Sequence, residues 1–181
     1  LIPYTEKTVE AVEYINGDLI RLSLSEGTDD IRVGDDIENI SHNVELVFRR
    51  NTVKNNRARG MLIAARGKTL IEDCTFHTSG AAILFESDGA YWFESGGTED
   101  VTIRNCLFDR CKHGGWGRGV IERVARPATE EGKYFHNCIR VTENEFRMLP
   151  GDAIPAAIFD NVQTAVFTDN RMMTASDAPA T

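Results

Sequence analysis

Five short stretches of the sequence share one pattern, although the segments between them differ in length. Each is rich in β-branched or aromatic residues and ends in Asn or Cys, then any residue, then a bulky apolar residue. The stretches are VELVFRRNTV, KTLIEDCTF, VTIRNCLF, IRVTENEF and TAVFTDNRM. Helical periodicity is weak, whereas strand-like runs recur. A repeat of strands without helices between them is typical of a solenoid, in which each turn buries its inward side chains on the next.

Three positions set the register of this repeat. The apolar position before the turn is Phe48, Ile71, Ile103, Val141 and Phe167, the polar or thiol position is Asn51, Cys74, Cys106, Asn144 and Asn170, and the final apolar position is Val53, Phe76, Phe108, Phe146 and Met172. Neighbouring turns of a solenoid lie about 4.8 Å apart, so equivalent residues stack in columns. Unequal spacing then predicts loops of different length leaving fixed corners. The sequence therefore predicts an all-β fold, a right-handed parallel β-helix over residues 41–175 with a tail at 176–181.

The Asn and Cys column follows from the stacking. An Asn at an inward turn bonds backbone groups and the amides of the turns above and below, and Cys is small enough to share the position. The cysteines, four in all, include no CxxC pair and no His at zinc-finger spacing, which argues against a metal site. No cofactor is expected. Cys74 and Cys106 are expected to be buried thiols, with a disulfide between them left open.

Residues 1–40 follow a different pattern. TVEAVEYINGDLIRLSLSEG alternates apolar and polar residues around Asn16-Gly17, which predicts an antiparallel hairpin with a two-residue turn. An isolated hairpin is marginally stable. We therefore interpret residues 1–40 as the closing strands of a small antiparallel, β-barrel-like domain that precedes the solenoid.

A second apolar run follows each repeat: RGMLIAAR, GAAILFES, GRGVIERV and DAIPAAIF. These runs predict a further sheet in each turn. Charged residues at their ends are expected to form an exposed polar stripe on one face of the solenoid; they are Arg66, Glu86, Glu122 and Arg123. Enzymes with this fold often carry their sites on such a face, which is an argument from fold analogy.

Two loops combine aromatic and charged residues: ESDGAYWFESGGTED at 86–100 and KHGGWGRG at 112–119. Because they belong to adjacent turns, we expect them side by side, with Trp92 and Trp116 near Glu86, Asp88 and Glu94. An indole stacks on the apolar face of a pyranose while carboxylates accept bonds from its hydroxyls. The structural alternative is that the loop aromatics form a small local core and the acids make turn bonds.

Charge and hydropathy exclude other classes. The net charge is −8, and the basic cluster RRNTVKNNRARG is weak evidence for nucleic acid on an acidic chain. No apolar run approaches the ~20 residues that span a bilayer. The sequence begins at Leu1-Ile2-Pro3 and shows no leader pattern, so a fragment or a processed chain is expected.

At NNRARGMLIAARGKTLIEDCTF and AILFESDGAYWFESGGTEDVTIRNCLF the sequence resembles glycoside hydrolase family 110, the α-1,3-galactosidases. The family patterns are NNRARG and a GDANYW[FY]ESG-like stretch. Here Ser87 replaces Gly, and Gly89-Ala90 stands where Ala-Asn is usual. VGDDIENI at 33–40 resembles the passage from an inserted barrel back into the β-helix, so the resemblance covers roughly residues 15–175.

The resemblance implies a metal-independent, inverting hydrolase that removes terminal α-1,3-linked galactose, with a galactose-terminated glycan as partner. It also implies a secreted or periplasmic protein. The catalytic aspartates of the family are expected upstream, in an N-terminal half of the same β-helix that precedes this chain. The pairs Asp29-Asp30 and Asp35-Asp36 lie in barrel-like sequence and are not assigned that role. The expected sugar-contacting residues are Arg59, Glu86, Asp88, Trp92 and Glu94.

Two alternatives from other classes stay open. One is a non-catalytic carbohydrate-binding or structural β-helix that keeps the cleft without the chemistry. The other is a pectate-lyase-like enzyme, which needs oxygen ligands for Ca²⁺ converging from neighbouring turns, and the sequence offers no such cluster. An exposed end of the solenoid also offers a contact surface for a homo-oligomer.

Overall fold

The structure is a computed structural model that describes residues 4–86, 97–123, 134–151 and 153–174. Strands, numbered β1 to β16 in chain order, are the only regular elements within those residues. No helix that could span a membrane is found among them. Two compact units divide the chain, one within residues 2–37 and one from residue 38 onward.

The first unit contains the predicted hairpin. Strands β1 (Val9–Tyr14) and β2 (Ile20–Leu24) pair antiparallel, with Tyr14 opposite Ile20. The connection is therefore residues 15–19 rather than the two-residue turn expected at Asn16-Gly17. The Asn16 side chain explains the wider loop, because its Oδ1 accepts the amide hydrogens of Asp18 (2.9 Å) and Leu19 (3.0 Å) and holds the chain open.

The acidic pairs of this unit make local contacts. Asp30 accepts a hydrogen bond from the Thr5 hydroxyl (2.6 Å) and an ion pair from Lys7 (3.1 Å), and these contacts lower the pKa of Asp30, the Thr5 bond most. Asp35 accepts from the Tyr4 hydroxyl and from the Arg32 backbone N–H. These carboxylates hold the unit's own loops together.

The second unit is a parallel β-helix, which confirms the predicted fold class. Its described residues form three parallel sheets in which equivalent strands of successive turns pair in register. Sheet 1 contains β3 (Leu46–Arg49), β6 (Thr69–Glu72), β9 (Asp100–Arg104), β12 (His136–Thr142) and β15 (Val162–Thr168). Sheet 2 contains β4 (Thr52–Lys54), β7 (Thr75–His77), β10 (Leu107–Asp109), β13 (Glu145–Met148) and β16 (Arg171–Thr174). Sheet 3 contains β5 (Met61–Ile63), β8 (Ile83–Phe85), β11 (Ile121–Arg123) and β14 (Ala157–Phe159).

The apolar columns form as the repeat predicted. In sheet 2, Phe108 pairs in register with Phe76 on one side and Phe146 on the other. The three rings stack, with centroids 5.2 Å and 4.7 Å apart. In sheet 1 the register aligns Ile71 with Ile103, and both are fully buried. The core of the unit is therefore a set of side-chain ladders that run along the solenoid axis.

The chain turns from sheet 1 to sheet 2 through one residue in the left-handed region. That residue is Arg50, Asp73, Asn105, Glu143 or Asp169 in the successive turns, with φ between 50° and 59°. A single left-handed residue reverses the pleat and bends the strand sharply, so the next side chain points inward. That next side chain is the Asn or Cys column identified in the sequence.

Asn144 shows what the column does. Its Nδ2 donates to the carbonyls of Thr142 (2.9 Å) in its own turn and Ile103 (3.0 Å) in the preceding turn, and to Oδ1 of Asn170 (3.0 Å). Its Oδ1 accepts the backbone N–H of Cys106 at 2.9 Å. Each side-chain amide thus satisfies backbone groups that the corner leaves without a ladder partner.

The thiols of the column repeat this pattern in weaker form. Cys106 Sγ donates to the carbonyls of Arg104 (3.2 Å) and Ile71 (3.8 Å), and Cys74 makes the equivalent bonds one turn earlier. All four cysteines are free thiols. Burial raises the pKa of Cys106 to about 12, so this thiol stays protonated and acts as a small donor.

Candidate functional site

Sheet 3 has two ends, and the sequence-predicted site residues divide between them. We call the end where the chain arrives from sheet 2 the 2–3 corner, and the end where it departs for sheet 1 the 3–1 corner. Arg59 precedes β5 at the 2–3 corner, whereas Glu86 follows β8 at the 3–1 corner. Met61 pairs in register with Ile83. Arg59 comes two residues before Met61 and Glu86 comes three residues after Ile83, so Arg59 and Glu86 are offset by five positions, or about 16 Å along the strand direction at ~3.3 Å per residue.

The other three predicted contacts, Asp88, Trp92 and Glu94, lie outside the described residues. The segments around them can still be compared by their anchors. Glu86, the last described residue before the segment, follows β8 at the 3–1 corner, whereas the loop at 112–119 connects β10 to β11 at the 2–3 corner. The two loops expected side by side are therefore anchored at opposite ends of sheet 3.

The 2–3 corner is built from backbone segments of three successive turns. The Ser79 hydroxyl bonds the carbonyls of Asn56 (3.0 Å) and Arg57 (2.5 Å) in the preceding turn. In the following turn, the Gly114 N–H donates to the Ser79 carbonyl at 2.7 Å. Ser79 therefore ties the corner segments together, and the side chains on this surface project from a fixed backbone.

Trp116 lies in the 112–119 loop, on the surface of this corner. Its side chain is 56% exposed, and the Arg57 guanidinium carbon lies 5.9 Å from the ring centroid, a cation–π distance. Gly80 makes the arrangement possible, because a Cβ there would overlap the Ala58 carbonyl oxygen and lie 2.9 Å from Trp116 Cβ. We call the surface of Arg57, Arg59 and Trp116 the Trp116 platform.

The two arginines of the platform carry charge that the described residues leave unpaired. Both side chains are exposed, and neither forms an ion pair with an acid within 4–86, 97–123, 134–151 or 153–174. The Arg59 backbone is nevertheless held, because its carbonyl accepts a bond from Asn56 Nδ2 at 3.1 Å. Neighbouring Arg110 differs, since it pairs with Asp109 at 2.6 Å.

The charged residues of sheet 3 are buried rather than forming the exposed stripe expected from the sequence. Glu122 is 6% exposed and Arg123 is 3% exposed. The 112–119 loop explains the first, because the Glu122 carboxylate accepts the backbone N–H groups of Arg118 (2.5 Å) and Gly119 (2.8 Å). Arg66 is half-buried and reaches Glu99 at 3.6 Å. The stripe expectation was therefore wrong for Glu122 and Arg123.

Arg123 occupies an inward column at the 3–1 corner, in register with Phe85 before it and Phe159 after it. Burial lowers its pKa, while the charges of Asp160 and Glu86 act in the opposite direction. Glu86 is half-buried. The 3–1 corner thus places one carboxylate of the predicted set beside a buried guanidinium.

His136 completes this corner and was missed in the sequence. It is fully buried, and its Nδ1 accepts the Thr98 backbone N–H at 3.2 Å and lies 2.9 Å from the Thr98 hydroxyl. Its Nε2 has no hydrogen-bond partner among the described residues. Burial, and then the charge of Arg123, lower the pKa of His136 to about 3, so the ring is neutral at physiological pH. The sequence carried no distinctive signal for it, because β12 mixes polar and apolar residues (HNCIRVT).

Metal ligands do not converge in the part of the chain that the structure describes, where no group of three or more His, Cys, Asp or Glu side chains is placed to hold an ion. The sugar-binding hypothesis therefore depends on the Trp116 platform and on the 3–1 corner.

Comparison with known proteins gives the family. Residues 37–145, more than half of the chain, match the right handed beta helix region. The chain is 32% identical over 156 residues to α-1,3-galactosidase A of Akkermansia muciniphila, covering 85% of this chain and 25% of that protein. It is 34% identical over 148 residues to α-1,3-galactosidase B of Bacteroides fragilis, covering 76% of this chain and 24% of the relative. A shorter match of 73 residues to α-1,3-galactosidase B of Phocaeicola vulgatus is 47% identical, with 40% of this chain and 12% of that protein covered.

The chain spans about a quarter of the length of the first two relatives. Both the family match and the in-register sheets agree with the fold that the repeat predicted. The resemblance drawn from the NNRARG and YWFESG motifs is confirmed by the names of these relatives. The chain belongs to the right-handed β-helix family, and it is similar over most of its length to a segment of the bacterial α-1,3-galactosidases.

Proposed function

We propose that this chain is the C-terminal part of an exo-acting α-1,3-galactosidase and that it supplies walls of the sugar site. The observation that carries the proposal is the Trp116 platform. The Trp116 indole is 56% exposed and so presents an accessible apolar surface. Here it is fixed by the backbone of three turns and by a glycine without which it would not fit. Such a surface is prepared for a ligand with an apolar face.

A galactopyranose has such a face. Its C–H groups would stack on the part of the exposed Trp116 indole that Arg57 does not cover, and the guanidinium N–H donors of Arg57 and Arg59 would bond its hydroxyls. Glu86, at the far end of sheet 3, would meet a second part of the glycan, since a separation of about 16 Å exceeds one sugar ring. In this proposal Asp88, Trp92 and Glu94, which lie outside the described residues, also contact the glycan.

The reaction we propose is inverting hydrolysis. It requires one carboxylic acid to protonate the leaving oxygen and one carboxylate to activate water, about 6.5–9.5 Å apart. The carboxylates of Asp30 and Asp35 are occupied by Thr5, Lys7 and Tyr4 in the hairpin unit. We therefore assign the acid and base to turns of a longer β-helix that precede β3.

The test is proton NMR of the folded protein mixed with galactosyl-α-1,3-galactose. The proposal expects broadening of the galactose resonances without hydrolysis, and loss of that broadening in Trp116→Ala. Arg50→Gln, an exposed arginine at the corner between sheets 1 and 2, is the matched control and should bind like the parent.

Other outcomes separate the alternatives. Release of free β-galactose would show that the acid and base lie within residues 1–181 and would contradict our assignment of them. This chain can also be tested when joined to a preceding β-helix. If the joined protein binds the sugar but does not hydrolyse it, the result would favour a non-catalytic carbohydrate-binding domain. A spectrum that shows no binding and no hydrolysis would contradict the proposal that the platform contacts sugar.

A further inference from the structure

We propose that the Trp116 platform recognises a galactose-containing glycan that carries an anionic substituent, a sulfate ester or a carboxylate, beside the sugar that stacks on Trp116. The inference deepens the proposed function and rests on it. It adds the chemical class of the glycan, which neither the fold nor the names of the relatives specify.

The distribution of charge is the first support. The chain has a net charge of −8, yet the 2–3 corner is basic. Within the described segments 54–60 and 109–118, six charged side chains are cations and one, Asp109, is an anion; the cations are Lys54, Arg57, Arg59, Arg110, Lys112 and Arg118. A basic surface on an acidic protein focuses a positive field locally and attracts anions.

The pairing of these cations is the second support. Arg110 pairs with Asp109 at 2.6 Å, Arg118 pairs with Asp160 at 3.2 Å, and Lys112 Nζ donates to the Gly114 carbonyl at 2.9 Å. The arginines that lack a described acid, Arg57 and Arg59, are those of the platform. The corner therefore neutralises its other guanidinium groups and leaves these two available.

The geometry of the donors is the third support. Arg57 extends over the Trp116 ring, where the indole face stabilises the cation and restricts its rotamers. Arg59 lies two residues later, and the backbone of both is tied to Asn56 and Ser79. A planar guanidinium bonds two oxygens of one anion, which suits sulfate and carboxylate alike and exceeds what a neutral hydroxyl accepts.

The indole and the neighbouring guanidinium groups together fit one ligand with two parts. The indole takes an apolar pyranose face, and the adjoining guanidinium groups take an anion attached to that ring or its neighbour. A neutral glycan would use the ring contact alone and leave two arginines with water.

The experiment compares three probes by titration calorimetry at low salt: galactosyl-α-1,3-galactose, the same disaccharide with one sulfate ester, and the same disaccharide with one galactose oxidised to a uronic acid. We expect at least one anionic probe to bind about tenfold more tightly than the neutral one, the gain of a charge-assisted bond. The preference should decline as salt screens the charges. The anionic probe with the larger gain in affinity over the neutral disaccharide identifies the substituent.

Variants assign the effect to the platform. In Arg57→Gln with Arg59→Gln, the ratio of anionic to neutral affinity should fall to about one. Arg50→Gln removes one arginine from the opposite corner of the same turn and should keep the ratio. Circular dichroism of each variant checks that the β-helix is intact.

Several results would overturn the inference: equal affinity for all three probes, an anionic preference that survives the double variant, or an equal loss in Arg50→Gln. Inorganic sulfate binding as tightly as the sulfated disaccharide would also overturn it, because the sugar would then contribute nothing. Equal affinity for neutral and anionic probes, with both lost in Trp116→Ala, would remove this inference while leaving the proposed function intact.

Discussion

Replacing Asn144 by Ala should be among the most damaging single changes to the β-helix, although it removes only a small side chain. Asn144 is 2% exposed and bonds backbone groups in two turns and a side chain in a third. The cavity left by so few atoms would not by itself cause a large loss of stability. The prediction rests on the polar groups that the change leaves buried.

The magnitude follows from the bonds. Without the Asn144 side chain, the buried Cys106 N–H loses its acceptor, which costs about 1–3 kcal/mol. The carbonyls of Ile103 and Thr142 each lose a donor, at about 0.5–1.5 kcal/mol apiece. Together these terms predict a loss of about 2–6 kcal/mol in the free energy of unfolding.

Urea denaturation followed by circular dichroism measures this loss. With a slope of ~2 kcal/mol per M, the urea midpoint of Asn144→Ala should fall by about 2 M. Asn51→Ala is the matched control, because Asn51 occupies the same column but is exposed, and among the described residues its side chain donates only to the Arg49 carbonyl (2.9 Å). Its cost should be about 1 kcal/mol.

A third variant tests the logic of the column itself. Asn144→Cys introduces the residue found at Cys74 and Cys106, which keeps a single weak donor, so its loss should lie between those of the two alanine variants. If Asn144→Ala cost no more than Asn51→Ala, the satisfaction of corner backbone groups would not be what stabilises the solenoid, and the reasoning would fail.

Three further outcomes are expected. Phe108→Ala should lose ~3–5 kcal/mol of stability by the same assay, because the ring is stacked on both sides; an unchanged midpoint would remove Phe108 from the core. Because the pKa of His136 falls from 6.5 in the unfolded chain to about 3 in the folded one, the unfolded state binds the extra proton. Stability should therefore fall as pH drops from 6.5 towards 3, by up to about 1.4 kcal/mol per pH unit, and His136→Gln should flatten that slope; an identical slope in both proteins would contradict the assignment. Among the four cysteines only Cys138 is partly exposed, so a thiol reagent should modify about one thiol in the native protein and all four after denaturation, whereas rapid native modification of Cys106 would contradict its burial.

The repeat illustrates what could be read from the sequence. The stacked columns were predicted because parallel strands place equivalent residues about 4.8 Å apart, so any residue type that suits the interior once suits it again in the next turn. Phe76, Phe108 and Phe146 follow directly from this translation. The hairpin was predicted for a similar reason, since alternation is a local signal, but its loop length depended on the side chain of Asn16.

The candidate functional site was predicted from the sequence less completely than the fold was. Arg59, Glu86 and Trp116 were identified by residue type, yet the sequence placed them in one cleft, while the structure separates Glu86 from the other two along sheet 3. The strands of that sheet are three residues long. A loop that precedes such a strand and one that follows it are therefore close in sequence but lie at opposite corners.

The sequence by itself determined the solenoid, its register and its core, because these depend on contacts between equivalent positions that repeat along the chain. Only the tertiary structure decided which loops share a corner and which charges are buried. Glu122 and Arg123 have the sequence character of surface residues, but the loop over Glu122 and the column around Arg123 remove both from water. Burial of a charge depends on the partners brought to it by other turns, and those partners carry no periodic signal in the sequence.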